Sequence, residues 1–149
     1  MATGCPVVAY HRTLRDRRSK VGVHYLVGTD SVHTTAAICD YLDGRVTADD
    51  AVTVVAVAPS DEPTARRDAE EALNVATVRL AAVGGVETER RSGTPADALR
   101  VAATECDVDE IVVGTHGGDP DTTQTVGSST RRLLAAADRP VVVVPIPEL

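Results

Sequence analysis

Two glycine turns carry the residues best suited to chemistry. Gly114-Thr115-His116-Gly117 follows the apolar run Ile111-Val112-Val113. After a nine-residue connector, Gly127-Ser128-Ser129-Thr130 precedes a helical stretch, Arg131 to Ala137. Glycine lets backbone N–H groups approach a ligand with no side chain in the way. A Gly-Ser pair opening a helix adds unpaired amides, a hydroxyl and the positive end of a helix dipole. Together the turns describe an anion site, and the phosphates of a nucleotide are the anion that suits it best.

The elements that must position these turns alternate along the chain. Val21 to Gly28 reads as a strand that ends in Gly28-Thr29-Asp30. Ser31 to Leu42 follows as a helix with Ala36, Ala37, Ile38 and Tyr41 on one face and Gly44 as its stop. Ala51 to Ala58 is a buried strand ending at Pro59. Ala65, Ala69, Ala72, Leu73, Ala76 and Leu80 then recur at spacings of three and four, the apolar face of the longest helix, which Gly84-Gly85 ends. Val86 to Arg91 is a more polar strand, suited to a sheet edge. Thr94-Pro95-Ala96-Asp97 has the form of a helix start, with a threonine cap, a proline in the first turn and an acid after it. That helix packs through Leu99, Ala102 and Ala103. Glu110 to Gly114 and Val141 to Val144 are the remaining strands, the last limited by Pro140, Pro145 and Pro147. The order βαβαβαβαβ implies an α/β fold: a parallel sheet, doubly wound, with right-handed crossovers and helices on both faces. The turn at Gly114 then lies at the carboxyl edge of the sheet, where such folds bind ligands at the reversal of strand order.

Composition agrees with this class. At 149 residues the chain makes one domain, large enough for a real core. It has no Phe or Trp and only three Tyr, and its apolar inventory is mostly 24 Val and 21 Ala. Valine runs suit buried strands, and alanine-rich helices approach a sheet closely. A net charge of −7 with a pI near 5.0 argues against nonspecific binding to nucleic-acid backbones. Cations are 14 Arg and the single Lys20, while 14 Asp outnumber 8 Glu. High internal salt and a GC-rich genome both account for that bias, and neither bears on function. Cys5, Cys39 and Cys106 are odd in number, far apart and without a CxxC pair, which speaks against a disulfide framework or zinc site and for a reducing cytoplasm. No apolar stretch has the length of a membrane span, and the run Pro6 to Tyr10 is too short for a signal peptide. Residues 1–20 stand outside the alternation. Cys5 to Tyr10 could add an edge strand with Arg12 to Lys20 as a basic tether, or the segment is a weakly ordered extension or an upstream start.

Several phosphate loops are absent. There is no GxxxxGK[ST], and the turn Gly28-Thr29-Asp30-Ser31 after the first strand is not GxGxxG. The pattern that is present, G-x2-G-x9-G-[ST] on Gly114, Gly117, Gly127 and Ser128, resembles that of the universal stress protein family. Supporting matches are a first strand ending at Asp30, the run Gly93 to Leu99, Asp109 to Gly117, and Asp138-Arg139-Pro140 leading into VVVVP. The resemblance covers residues 21–147.

The resemblance implies a universal stress protein domain over 21–149, built on a five-stranded parallel sheet of order 3-2-1-4-5. It implies a cleft for ATP or a related adenine nucleotide between strands one and four. Asp30, with Gly28 and Thr29, would face ribose and adenosine, and the backbone at Val57 would meet adenine. Gly114, Thr115, His116, Gly117, Gly127, Ser128, Ser129 and Thr130 would hold the phosphates. It further implies a homodimer through Val141, Val142, Val143 and Val144, which would cover an exposed valine edge. The residues themselves leave other roles open. Asp30 or Ser128 could cap a helix, His116 could serve only the turn, and Arg131 and Arg132 could form a solvated face. The connector departs from relatives, which commonly carry a basic residue there: Asp119 and Asp121 would repel a triphosphate unless Mg²⁺ or Mn²⁺ bridges them. No catalytic apparatus is visible. Two rival readings are a nucleotide-independent protein-interaction dimer and a slow Mg-dependent ATPase.

Overall fold

Valine runs form the centre of the sheet because helices cover both of its faces. β2 (Ala51–Ala58, sequence AVTVVAVA) is buried at every position, as a central parallel strand must be. The computed structural model describes residues 22–58, 60–83, 85–115 and 126–147. Around β2 the elements are β1 (His24–Thr29), α1 (Val32–Leu42), α2 (Pro63–Arg79), β3 (Gly85–Ser92), α3 (Pro95–Cys106), β4 (Glu110–Gly114), α4 (Ser128–Ala136) and β5 (Val141–Val144). All four strand pairings are parallel, and the sheet order is β3-β2-β1-β4-β5, as expected.

The alternation of side chains along the strands sorts them onto two faces. Leu26, Val55, Val57, Ile111 and Val113 pack with Leu99, Ala102 and Cys106 of α3 and Leu133 of α4. Val27, Val52, Val54 and Val112 pack on the other face with Ile38 and Leu42 of α1 and Ala76 of α2. The result is a three-layer sandwich with small side chains. Small residues allow the helix backbones to sit close to the sheet, so the core is filled without Phe or Trp by Val, Ala, Leu and Ile. Among the described residues, polar β3 pairs with β2 and forms one edge, and β5 pairs with β4 and forms the other.

Local rules locate most ends, with some corrections. Ser31 caps α1: its Oγ accepts the Thr34 amide at 3.2 Å. Gly44, with φ +83°, takes the left-handed turn after α1 that the sequence suggested. α2 ends at Arg79, so Gly85 is the first residue of β3 and does not stop the helix. Thr94 is the N-cap of α3, but its side chain makes no capping bond, and Pro95 is helical from the first turn. β1 begins at His24, later than expected, because Gly22 and Val23 instead lie against the turn before β2: Val23 N–H donates to the Asp50 carboxylate at 2.7 Å. α4 begins at Ser128, three residues before the expected start. Residues 1–20, including Cys5, lie outside the described residues.

Cys39 and Cys106 are buried free thiols in the two core layers. Burial pushes the Cys39 thiol up; Arg79 works against this and Asp40 adds to it. Since the thiolate is the reactive form, neither Cys39 nor Cys106 should take up a maleimide at neutral pH in the native protein, and both should do so in denaturant. Peptide mapping by mass spectrometry checks this, and rapid native labelling of Cys39 would contradict it.

Candidate functional site

The sheet opens at its carboxyl edge between β1 and β4. Their register runs from Tyr25↔Glu110 to Val27↔Val112 and ends there. β1 goes on pairing with β2 to Thr29↔Ala56, and β4 with β5 to Gly114↔Val144. The cause is topological. β1 leads into α1 on one face of the sheet, whereas β4 leads toward α4 on the other. Strands that feed opposite faces must part, and the parting forms the crevice where α/β sheets take ligands.

On the β1 side, the three residues at the strand end have different surroundings. Gly28 is tight against α3: a Cβ built there would stand 2.5 Å from Leu99 Cδ1, so a larger residue would have to push the end of the Leu99 side chain aside. Thr29 is buried, and its Oγ1 lies 2.8 Å from Thr35 Oγ1 of α1. Asp30 is exposed at the mouth. Because Ser31 caps α1, Asp30 is not spent on that role, and its carboxylate is an acceptor with no capping duty. Val57 is buried near the end of neighbouring β2, its register partner being Arg91 of β3.

On the β4 side, Gly114 and Thr115 are tied to α4 and to the end of β5. Thr130 Oγ1 donates to Gly114 O at 2.9 Å, and Gly127 N–H donates to Thr115 O at 2.6 Å. Thr115 N–H donates to Val144 O at 2.9 Å. These bonds bring the two glycine turns together. Gly127, not Ser128, is the N-cap, and having no side chain it makes no capping bond of its own. The first turn of α4, Ser128, Ser129 and Thr130, with the positive end of the helix dipole, therefore lies beside Gly114 and Thr115 at the carboxyl edge of the sheet. His116, Gly117, Asp119 and Asp121 lie outside the described residues. Among the described residues, no group of three or more His, Cys, Asp or Glu is arranged to hold a metal ion. No described helix is long and apolar enough to cross a membrane.

A sequence profile described as the universal stress protein family matches residues 26–145. The chain belongs to the universal stress protein family. Solved structures share the fold. A universal stress protein, UspA, from Lactobacillus plantarum superposes with a TM-score of 0.66 at 21% identity, over 82% of this chain and 97% of that one. A universal stress protein from Archaeoglobus fulgidus, solved in complex with dAMP, gives a TM-score of 0.58 at 21% identity, over 82% and 97%. One from Arabidopsis thaliana, solved with AMP bound, gives 0.61 at 14% identity, over 84% and 92%. No match to a curated protein was found.

Some side chains that shape this universal stress protein site escape pattern reading. His33 in the first turn of α1 donates from Nε2 to Pro147 O at 2.7 Å, joining the chain after β5 to the helix that follows Asp30. Thr35 is fully buried beside Thr29. Neither belongs to a motif. Hydroxyls on a buried helix face, where an apolar residue is the default, are the one signal that could have found Thr35.

Proposed function

We propose that this universal stress protein binds ATP or a related adenine nucleotide in the crevice between β1 and β4 and acts as a regulatory or protective binding module in stress responses. The observation that carries the reading is the glycine-capped start of α4 held beside Gly114 and Thr115, across the opening from the exposed Asp30. In this reading the amides of Gly114, Thr115, His116, Gly117, Gly127, Ser128, Ser129 and Thr130 hold the phosphates. The Asp30 carboxylate accepts from the ribose hydroxyls, with Gly28 and Thr29 forming the wall behind it, and the Val57 backbone meets adenine. Relatives solved with AMP, dAMP and cAMP support an adenine nucleotide as the ligand class. Asp119 and Asp121 in the connector would either weaken phosphate binding or share Mg²⁺ or Mn²⁺ with it. β5 offers Val141, Val142, Val143 and Val144 along a sheet edge, and we propose that two copies pair there as a homodimer.

The acidic connector favours a second reading, a dimer that binds proteins without any nucleotide. One experiment separates the two. The purified protein is denatured and any released nucleotide identified, and ATP is titrated with and without Mg²⁺ at low and high salt. The expected result is a dissociation constant well below about 1 mM in at least one condition. Affinity no better than that in every condition would sink the nucleotide reading.

A further inference from the structure

The turn that presents Asp30 is held by buried hydroxyls. Ser31 O accepts the Thr35 amide at 3.0 Å, the ordinary first bond of α1. It also accepts Thr35 Oγ1 at 2.8 Å and Thr29 Oγ1 at 3.1 Å. The two hydroxyl oxygens are themselves 2.8 Å apart, so their two protons are shared among these three contacts, and Ser31 N–H points back to Thr29 Oγ1 at 3.4 Å. Thr29 and Thr35 are 6% and 0% exposed, so water does not compete for these bonds. Three consecutive residues are thereby closed around Asp30: the side chain before it and the peptide after it are both fixed to α1. A helix start needs none of this, since Ser31 already supplies the cap.

We infer that Thr35, acting through Thr29 and the Ser31 carbonyl, is a positioning residue for the Asp30 carboxylate at the mouth of the crevice. The inference rests on the nucleotide reading for its consequence in binding, but not for its effect on the turn. A carboxylate pre-set by its backbone loses less freedom when it accepts a ligand hydroxyl, and that saving appears as affinity. Thr35→Val keeps the shape and leaves Ser31 O with two other donors, so the fold survives while the link between the hydroxyls is lost.

The test compares the full-length protein with its T35V, T35S, D30A and D30A/T35V variants. In the ligand-free protein, T35V should speed amide exchange at Asp30 and Ser31, and T35S should restore it. With ATP, T35V should weaken binding about fivefold, the worth of one neutral hydrogen bond. T35S should bind like the parent, and T35V should add nothing once D30A is present. Unchanged exchange at Asp30 and Ser31 in T35V would overturn the inference, whether or not any nucleotide binds. So would equal losses from T35V with and without Asp30, which would mark a purely structural residue. If the parent binds no nucleotide yet exchange responds as stated, the functional reading fails and the positioning of Asp30 stands.

Discussion

Gly127→Val is expected to abolish nucleotide binding and leave the fold in place. Gly127 is the N-cap of α4 with φ −69° and ψ 160°, an extended conformation that valine adopts readily. Its N–H bond to Thr115 O is a backbone bond and survives the change. Valine is a poorer N-cap than glycine, which costs the helix about 1 kcal/mol and lowers the melting temperature without removing the fold. The effect falls on the approach to the amides of Ser128 and Ser129, where a branched side chain stands in front of donors that an anion must reach. Losing two charge-assisted hydrogen bonds at about 1.5 kcal/mol or more each lowers affinity at least about a hundredfold. Titration calorimetry with ATP, set beside thermal unfolding of the same variant, measures both halves. Unchanged affinity would place the phosphates elsewhere, and lost cooperativity in unfolding would show that the glycine serves the fold.

Asp50→Ala should produce the largest loss of stability from a single polar side chain. Asp50 is 8% exposed just before β2. One carboxylate oxygen accepts Val23 N–H at 2.7 Å, and the other accepts Thr47 N–H at 2.8 Å and Thr47 Oγ1 at 3.2 Å. The side chain thus joins the chain entering β1 to the turn entering β2, across 27 residues of sequence. The packing around it is tight, since a Cβ on Gly22 would stand 1.8 Å from Asp49 O. Alanine would strand two backbone donors, at a cost of about 3 kcal/mol. For a domain of this size that is a fall of about 6–12 °C in melting temperature. Asn, which keeps one acceptor, should fall between. Urea unfolding with an unchanged slope would assign the loss to the native state, and a wild-type midpoint would refute the role.

Much of this architecture was legible before any coordinates. The run AVTVVAVA could only be a strand buried on both faces, and the bounds Ala51–Ala58, Glu110–Gly114 and Val141–Val144 agree with the sequence expectation residue for residue. The buried alanines of α2 fall on the expected face because a period of 3.6 is a local property. Less legible were starts that depend on neighbours. α4 begins at Ser128 because Gly127 is tied to Thr115 and Thr130 to Gly114, contacts between turns that no window of sequence contains. Arg139, legible only as part of a family match, donates from Nη1 to Ala103 O at 2.9 Å and Val108 O at 3.0 Å. It thereby closes the carbonyl end of α3 from beyond α4.

The same division holds at the site. Periodicity, turn chemistry and the glycine spacing are short-range, and they alone determined the element order, the parallel sheet and the edge at which a ligand would be met. The parting of β1 from β4, the release of Asp30 from capping duty and the burial of Thr29 against Thr35 were decided only when helices docked on opposite faces. They are products of long-range packing. A hydroxyl or carboxylate reads the same in sequence whether it caps, clamps or waits for a ligand, and only its neighbours in space choose among these.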